Sequence, residues 1–129
     1  MKRMIALLGV LVLVLAACGG GGDSGDDGAN GNNPPSAGDA AAGEEIFAST
    51  CAACHGADAT GIEGLGKDLH NNVFVAGLSD AELVDFLEEG RGADHPDNDT
   101  GVAMPPKGGN PSLDEDDLQN VAAYLRTLK

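Results

Sequence analysis

Residues 51–55 read Cys-Ala-Ala-Cys-His, and this run contains the side chains best suited to chemistry. Cys51 and Cys54 are three positions apart, so on a helical turn their thiols point the same way. Each thiol can add across one vinyl group of the same porphyrin, and the imidazole of His55 can then reach the iron from the proximal face. The spacing is typical of the covalent attachment site of a c-type haem.

Two other interpretations of the cysteine pair are weaker. A thioredoxin-like redox pair requires a βαβ pattern around the cysteines, and very little of this sequence has the pattern of a strand. A zinc site requires about four ligands, usually from two ligand pairs. The sequence has three cysteines and three histidines, with no second pair at ligand spacing. Haem attachment therefore explains the motif best.

The N-terminal segment has the pattern of a bacterial signal peptide. Lys2 and Arg3 precede an apolar run at 4–15 that is too short for a usual membrane span. The tetrapeptide Leu-Ala-Ala-Cys that ends at Cys18 resembles a lipobox, which implies cleavage before Cys18 and acylation of the new N-terminus. Ordinary secretory cleavage and an uncleaved anchor are the alternatives. Acylation and two thioether bonds would use all three cysteines, so we expect no structural disulfide.

The sequence divides into three parts. Residues 1–17 are the expected signal peptide. Residues 18–38 are rich in Gly, Asp and Asn and lack large apolar side chains, so we expect a lipid-anchored, disordered linker. The root-mean-square distance between the two ends of such a linker is roughly 25 Å. Residues 39–129 remain as the single folded domain.

The net charge excludes some partners. The formal charge is −14, and removal of Lys2 and Arg3 with the signal peptide would make it −16. Binding to nucleic acid is therefore not expected. Attraction to anionic lipid is not expected either, so membrane attachment would depend on the acyl chains. A soluble partner that docks electrostatically should present a basic face.

The folded part has the periodicity and the start signals of helices. We predict a first helix with Asp39 as N-cap that leads up to Cys51, and a second with a Ser79–Glu82 capping box that ends at Gly90. Asp114 begins the last helix, whose apolar stripe comprises Leu118, Val121, Ala122, Leu125 and Leu128. Residues 56–72 and 91–112 are predicted as loops, with at most short helical turns in 56–72. Loops of this length need something to organise them, and a haem would do so.

With these elements placed, residues 39–129 resemble a class I cytochrome c. The resemblance rests on the helix from Gly43 to Phe47 before the Cys51–His55 motif, the run Val102-Ala103-Met104-Pro105-Pro106, and the Tyr124–Leu128 end of the last helix. It implies a small all-α fold, with three or more helices around one covalently bound haem c and with long loops. It also implies that the first and last helices cross near Gly43, with His55 as proximal and Met104 as distal iron ligand.

The sequence itself also supports Met104 as an iron ligand. After removal of the signal peptide it is the one methionine left, and it precedes two prolines in an irregular segment. The alternative is a methionine that fills a gap in the core. His70 and His95 compete as ligands, but both have the surroundings of solvated loop histidines. Lys67 and Arg91 either meet the haem propionates or are exposed surface cations.

The predicted function is that of a membrane-tethered mono-haem cytochrome that carries single electrons in a respiratory or related chain, and not an enzyme. The resemblance implies a donor similar to a quinol–cytochrome c reductase and an acceptor similar to a terminal oxidase. The protein would be exported and lipid-anchored to a bacterial membrane, facing the periplasm or the outer side of the cell membrane. The alternatives are a haem-bearing subunit of a larger respiratory complex, and a haem enzyme or sensor with an open sixth site.

Overall fold

The computed structural model describes residues 38–129. In this range the chain forms five α-helices, one π-helical turn and one 3-10 turn. The described residues contain no β-strand, only two isolated bridges, Ile62 with Gly66 and Arg91 with Met104. The prediction of an all-α fold is confirmed. The predicted signal peptide, Cys18 and the linker up to residue 37 lie outside the described residues.

The first helical stretch leads directly into the cysteine motif. Helix α1 covers Ala40–Ile46, and Asp39 caps it by accepting hydrogen bonds from the backbone of its first turn. A π-helical turn, Phe47–Cys51, follows at once, and the short helix α2 covers Ala52–His55. The sequence predicted one helix up to Cys51. The structure instead widens its last turn, a feature that is frequent at functional sites.

The two longer helices begin where the sequence predicted. Helix α4, Asp80–Glu89, has the capping box of Ser79 and Glu82 and ends at Gly90. Helix α5, Glu115–Leu125, has a second capping box between Asp114 and Asp117. Each N-cap side chain accepts a hydrogen bond from an otherwise unpaired N–H of the first turn, which fixes the start of the helix.

Helices α1 and α5 cross at Gly43, as the resemblance implied. A Cβ atom at Gly43 would collide with the carbonyl of Asn120 and lie 2.9 Å from the Cβ of Tyr124. The rings of Phe47 and Tyr124 meet at 5.2 Å between centroids. The backbone N–H of Asp39 donates to the side chain of Asn120 at 2.7 Å. The missing side chain thus allows a close approach, and the aromatic pair packs beside it.

The sequence did not predict helix α3, Val73–Gly77, which Asn72 caps. Its C-terminal end is tied to α5 by Arg126, which donates to the carbonyls of Val75 and Leu78. The 3-10 turn, Pro106–Gly109, follows Met104. None of the helices described in residues 38–129 is long and apolar enough to cross a membrane.

One apolar core joins α1, α4 and α5. Phe47, Leu83, Leu118 and Val121 are almost completely buried in it. Four of the five residues of the predicted α5 stripe are buried, whereas Leu128 lies beyond the end of the helix and is partly buried. The core therefore fixes the helices, and the long segments between them surround the site described next.

Candidate haem site

A cavity of about 400 Å³ lies next to the cysteine motif. Cys51, Cys54, His55 and Met104 all line it, although Met104 is about fifty positions away in the sequence. Most of the remaining wall is apolar and includes Phe47, Leu69, Val75, Leu83, Leu87, Val121 and Leu125. Two thiols, an imidazole and a thioether thus converge on one apolar space of the size that cofactor sites have.

The ring of His55 is oriented by a backbone carbonyl. Its Nδ1 lies 2.9 Å from the carbonyl oxygen of Lys67. Because a carbonyl can only accept a hydrogen bond, Nδ1 is the donor, and in the neutral imidazole the lone pair is on Nε2. Histidines that bind metals have this arrangement, in which the second nitrogen is fixed by a hydrogen bond. The donor set of the cavity therefore fits an iron porphyrin.

The two thiols are held by a tightly packed backbone. A Cβ atom at Gly66 would collide with the carbonyl of Cys54, so the 62–66 turn lies directly against the motif. Both cysteines are unpaired and half-buried. Burial, and to a lesser extent the Cys54 thiol, raises the pKa of Cys51 to about 11. Before it forms a thioether bond, a free thiol at Cys51 is therefore protonated near neutral pH.

Met104 is positioned by the end of helix α4. Its N–H donates to the carbonyl of Arg91 at 2.9 Å, and its carbonyl accepts from the N–H of Arg91 at 2.8 Å. Gly90 has a φ of +72°, and a Cβ atom there would collide with the Met104 carbonyl. Only glycine accommodates both conditions well. The glycine that ends α4 therefore also permits the backbone pairing that aims Met104 at the cavity.

The competing histidines do not line this cavity. The Nδ1 of His70 lies 3.3 Å from a carboxylate oxygen of Asp68, and the side chain of His95 is 46% exposed. Lys67 and Arg91 do line the cavity, but each already has contacts within the protein. Nζ of Lys67 lies 2.7 Å from Asp99.

The guanidinium of Arg91 lies over two aromatic rings, at 4.5 Å from the centroid of Phe74 and 4.9 Å from that of Phe86. The two rings themselves meet edge to face at 4.9 Å. Stacking of this kind stabilises an arginine that is partly withdrawn from water. Sequence reasoning missed this cluster and the role of the Lys67 carbonyl. The rarity of aromatic residues, three Phe and one Tyr, was the one available signal that each is used structurally.

The helical fold and this site define the class of the protein, a mono-haem class I cytochrome c. A family model described as "Cytochrome C oxidase, cbb3-type, subunit III" matches residues 38–125, and the chain belongs to this family. The cofactor is covalently bound haem c, as the Cys51–His55 motif predicted.

Curated relatives fall into two kinds. The chain is 34% identical over 90 residues to the cbb3-type cytochrome c oxidase subunit CcoP of Rhodobacter capsulatus, which covers 69% of this chain and 29% of the relative. It is 35% identical over 91 residues to subunit FixP of Bradyrhizobium sp. (strain ORS 278), covering 70% and 28%. It is 32% identical over 99 residues to cytochrome c-554(547) of Halothiobacillus neapolitanus, covering 72% and 100%. The chain thus spans less than a third of the oxidase subunits. No solved structure matches it.

Proposed function

We propose that this protein is a membrane-tethered carrier of single electrons, with His55 and Met104 as the axial ligands of its haem iron, and that it has no catalytic activity of its own. One observation carries the proposal. Cys51, Cys54, His55 and Met104 line the same apolar cavity, and Nδ1 of His55 is hydrogen-bonded to a backbone carbonyl. Membership of an electron-transfer haem family supports it.

The residues of the cavity determine what the haem can do. When bound, haem c supplies the Fe(III)/Fe(II) couple. Cys51 and Cys54 would hold the porphyrin through thioether bonds, and His55 and Met104 would hold the iron. A histidine–methionine pair leaves no open position for a substrate and raises the reduction potential. The apolar side chains around the cavity exclude water, which further favours transfer of an electron over ligand chemistry.

The spectrum of the purified holoprotein tests the ligand set. The oxidised protein should show the long-wavelength sulfur-to-iron charge-transfer band, and Met104→Ala should remove it. Val102→Ala, which shortens another residue lining the same cavity, should keep the band. Tight carbon monoxide binding by the reduced wild-type protein without such a band would instead indicate an enzyme or a sensor.

The proposed electron acceptor is similar to a terminal oxidase, and the proposed donor to a quinol–cytochrome c reductase. Relatives named as subunits of cbb3-type oxidases support the acceptor. Acidic residues outnumber cations by 21 to seven, and Lys67, Lys107 and Arg126 already pair with carboxylates. A partner should therefore dock through a basic face, and electron transfer to it should slow as salt rises.

A second candidate is a fixed subunit of an oxidase complex. The match to the cbb3 subunit family favours it, whereas the full-length match to a small cytochrome favours a separate carrier. Gentle solubilisation of membranes distinguishes the two. A fixed subunit co-purifies with an oxidase in constant stoichiometry, and a carrier separates from it.

The membrane tether is proposed from the sequence pattern that ends at Cys18. Cys18→Ser should release the protein from the membrane, because the acyl chains would be its attachment. Ser24→Ala, in the same segment, is the matched control and should leave the protein in the membrane fraction. If the Cys18→Ser protein still sediments with membranes, the proposed lipid anchor at Cys18 is contradicted.

A further inference from the structure

Lys67 contacts both sides of the candidate haem site. Its carbonyl accepts the hydrogen bond from Nδ1 of His55 at 2.9 Å. Its ammonium group donates to the carboxylate of Asp99 at 2.7 Å. Asp99 belongs to the exposed 92–103 loop, which ends at Met104. One residue therefore connects the segment that orients the imidazole with the loop that leads to the thioether.

Hydrogen bonds within the 92–103 loop connect its two ends, so a displacement of Asp99 should also displace Met104. The side-chain amide of Asn98 donates to the carbonyls of Gly92 and Val102, at 2.9 and 2.8 Å, which are near the two ends of the loop. Its oxygen accepts from Thr100 and from the N–H of Gly101. The loop thus behaves as one unit, with Asn98 at its centre and Asp99 next to it.

Few contacts fasten this unit to the rest of the domain. Most of its residues are exposed on the surface or form part of the cavity wall, the latter being Asp97, Asn98, Thr100, Val102 and Ala103. Arg91 and Met104 pair at its base, and Nη1 of Arg91 donates to the carbonyl of Asp97 at 3.3 Å. The Lys67–Asp99 ion pair joins the loop to the segment on the His55 side.

We propose that the Lys67–Asp99 ion pair is a strap that holds the 92–103 loop against the 62–69 segment, and that it positions Met104. Lys67 and Asp99 are positioning residues and do not themselves touch the iron. The inference rests on the proposed role of Met104 as a ligand. It adds that retention of this ligand depends on one salt-sensitive contact at the edge of the cavity.

Competition by free imidazole for the ferric holoprotein measures how firmly Met104 is held. The side chains of Lys67 and Asp99 are 46% and 72% exposed, and exposed ion pairs are worth little. Asp99→Asn and Lys67→Met should therefore each tighten imidazole binding by about two- to five-fold. Lys67→Met keeps the backbone carbonyl that orients His55.

Asp94→Asn is the matched control. It removes one carboxylate from the same loop, and Asp94 has no ion pair or hydrogen bond from its side chain among the described residues. It should leave imidazole binding unchanged. The Asp99→Asn/Lys67→Met double variant should equal either single variant, because the two changes break one contact. The reversed pair, Lys67→Asp with Asp99→Lys, should restore wild-type binding.

Salt provides a second readout. Imidazole should bind the wild-type protein more tightly as ionic strength rises, and should bind Asp99→Asn with little salt dependence. Amide exchange in residues 92–103 should be faster in Asp99→Asn than in Asp94→Asn. Equal imidazole affinities and exchange rates in Asp99→Asn and Asp94→Asn would contradict the proposed role of the ion pair. Additive effects in the double variant would also contradict it.

The two proposals fail in different ways. If wild-type protein lacks the sulfur-to-iron band and Met104→Ala binds imidazole no more tightly, the ligand assignment and the strap both fail. If the band is present and Met104→Ala binds imidazole tightly, but Asp99→Asn behaves like Asp94→Asn, the strap alone fails.

Discussion

The α1–α5 crossing and the Met104 segment hold the cavity in different ways. At the crossing, backbone meets backbone at Gly43, and buried side chains of α5 pack near it together with Phe47, which follows α1. The Met104 segment is exposed along the 92–103 loop and depends on the Arg91–Met104 bridge, a positive-φ glycine and an ion pair. Local opening is easiest where few apolar contacts are buried. The α1–α5 crossing should therefore open only with global unfolding, and the Met104 segment should open first.

The largest expected effect comes from breaking the helix crossing. Gly43→Ala places a Cβ atom on the Asn120 carbonyl, and since both groups are backbone, the helices must move apart. We expect a loss of about 2–4 kcal/mol in the free energy of unfolding, measured by denaturant titration of the holoprotein.

Gly77→Ala is the matched control, because nothing lies within 4 Å of its Cβ position. This change should alter the free energy of unfolding by less than about 0.5 kcal/mol, or should stabilise slightly through the unfolded chain. Equal effects at the two glycines would show that the crossing is not the tight contact described above.

A smaller and more local effect is expected at Gly90. Gly90→Ala combines a φ of +72° with a collision against the Met104 carbonyl. We expect a global loss of about 1–3 kcal/mol, limited because the exposed loop can move aside, together with loss of the sulfur-to-iron band.

Gly101 separates the two factors, because it has the positive φ without the collision. Its φ is +69°, but nothing lies within 4 Å of its Cβ position. Gly101→Ala should therefore also strain the backbone and yet keep the band. If Gly101→Ala also lost the band, strain anywhere in the loop would suffice, and the contact at Gly90 would have no special role.

The difference between the two regions also explains what the sequence could predict. Asp39, Ser79 and Asp114 were predicted as N-caps because a cap depends on residues within one turn of it. The cysteine motif predicted the cofactor for the same reason, since its chemistry is contained in five consecutive residues. Gly43 was found through the resemblance to a family, because its partner is far away in the sequence.

Features that depend on distant partners could not be predicted. The Arg91–Met104 bridge, the ion pair of Lys67 and the stacking of Arg91 on Phe74 each join residues that no periodicity relates. Helix α3 is only five residues long. The C-terminal end of α3 is held by Arg126, which is about fifty positions later in the sequence and donates to the carbonyls of Val75 and Leu78. Short helices are marginal without such tertiary contacts.

The smallest expected effect on the free energy of unfolding is at the N-cap of α4. Ser79→Ala removes the N-cap and should cost about 1 kcal/mol, whereas Ser112→Ala, an exposed serine that caps no helix, should cost much less. Acidification gives a second test of this cap, because hydrogen bonds from Ser79 lower the pKa of Glu82.

A carboxylate with a lowered pKa stabilises the fold above its ordinary pKa, and this stabilisation is lost as the pH falls through the pKa of the folded state. The stability gap between wild type and Ser79→Ala should therefore narrow on acidification, and a gap that stays constant down to acid unfolding would show that the Glu82 carboxylate takes no part in the cap.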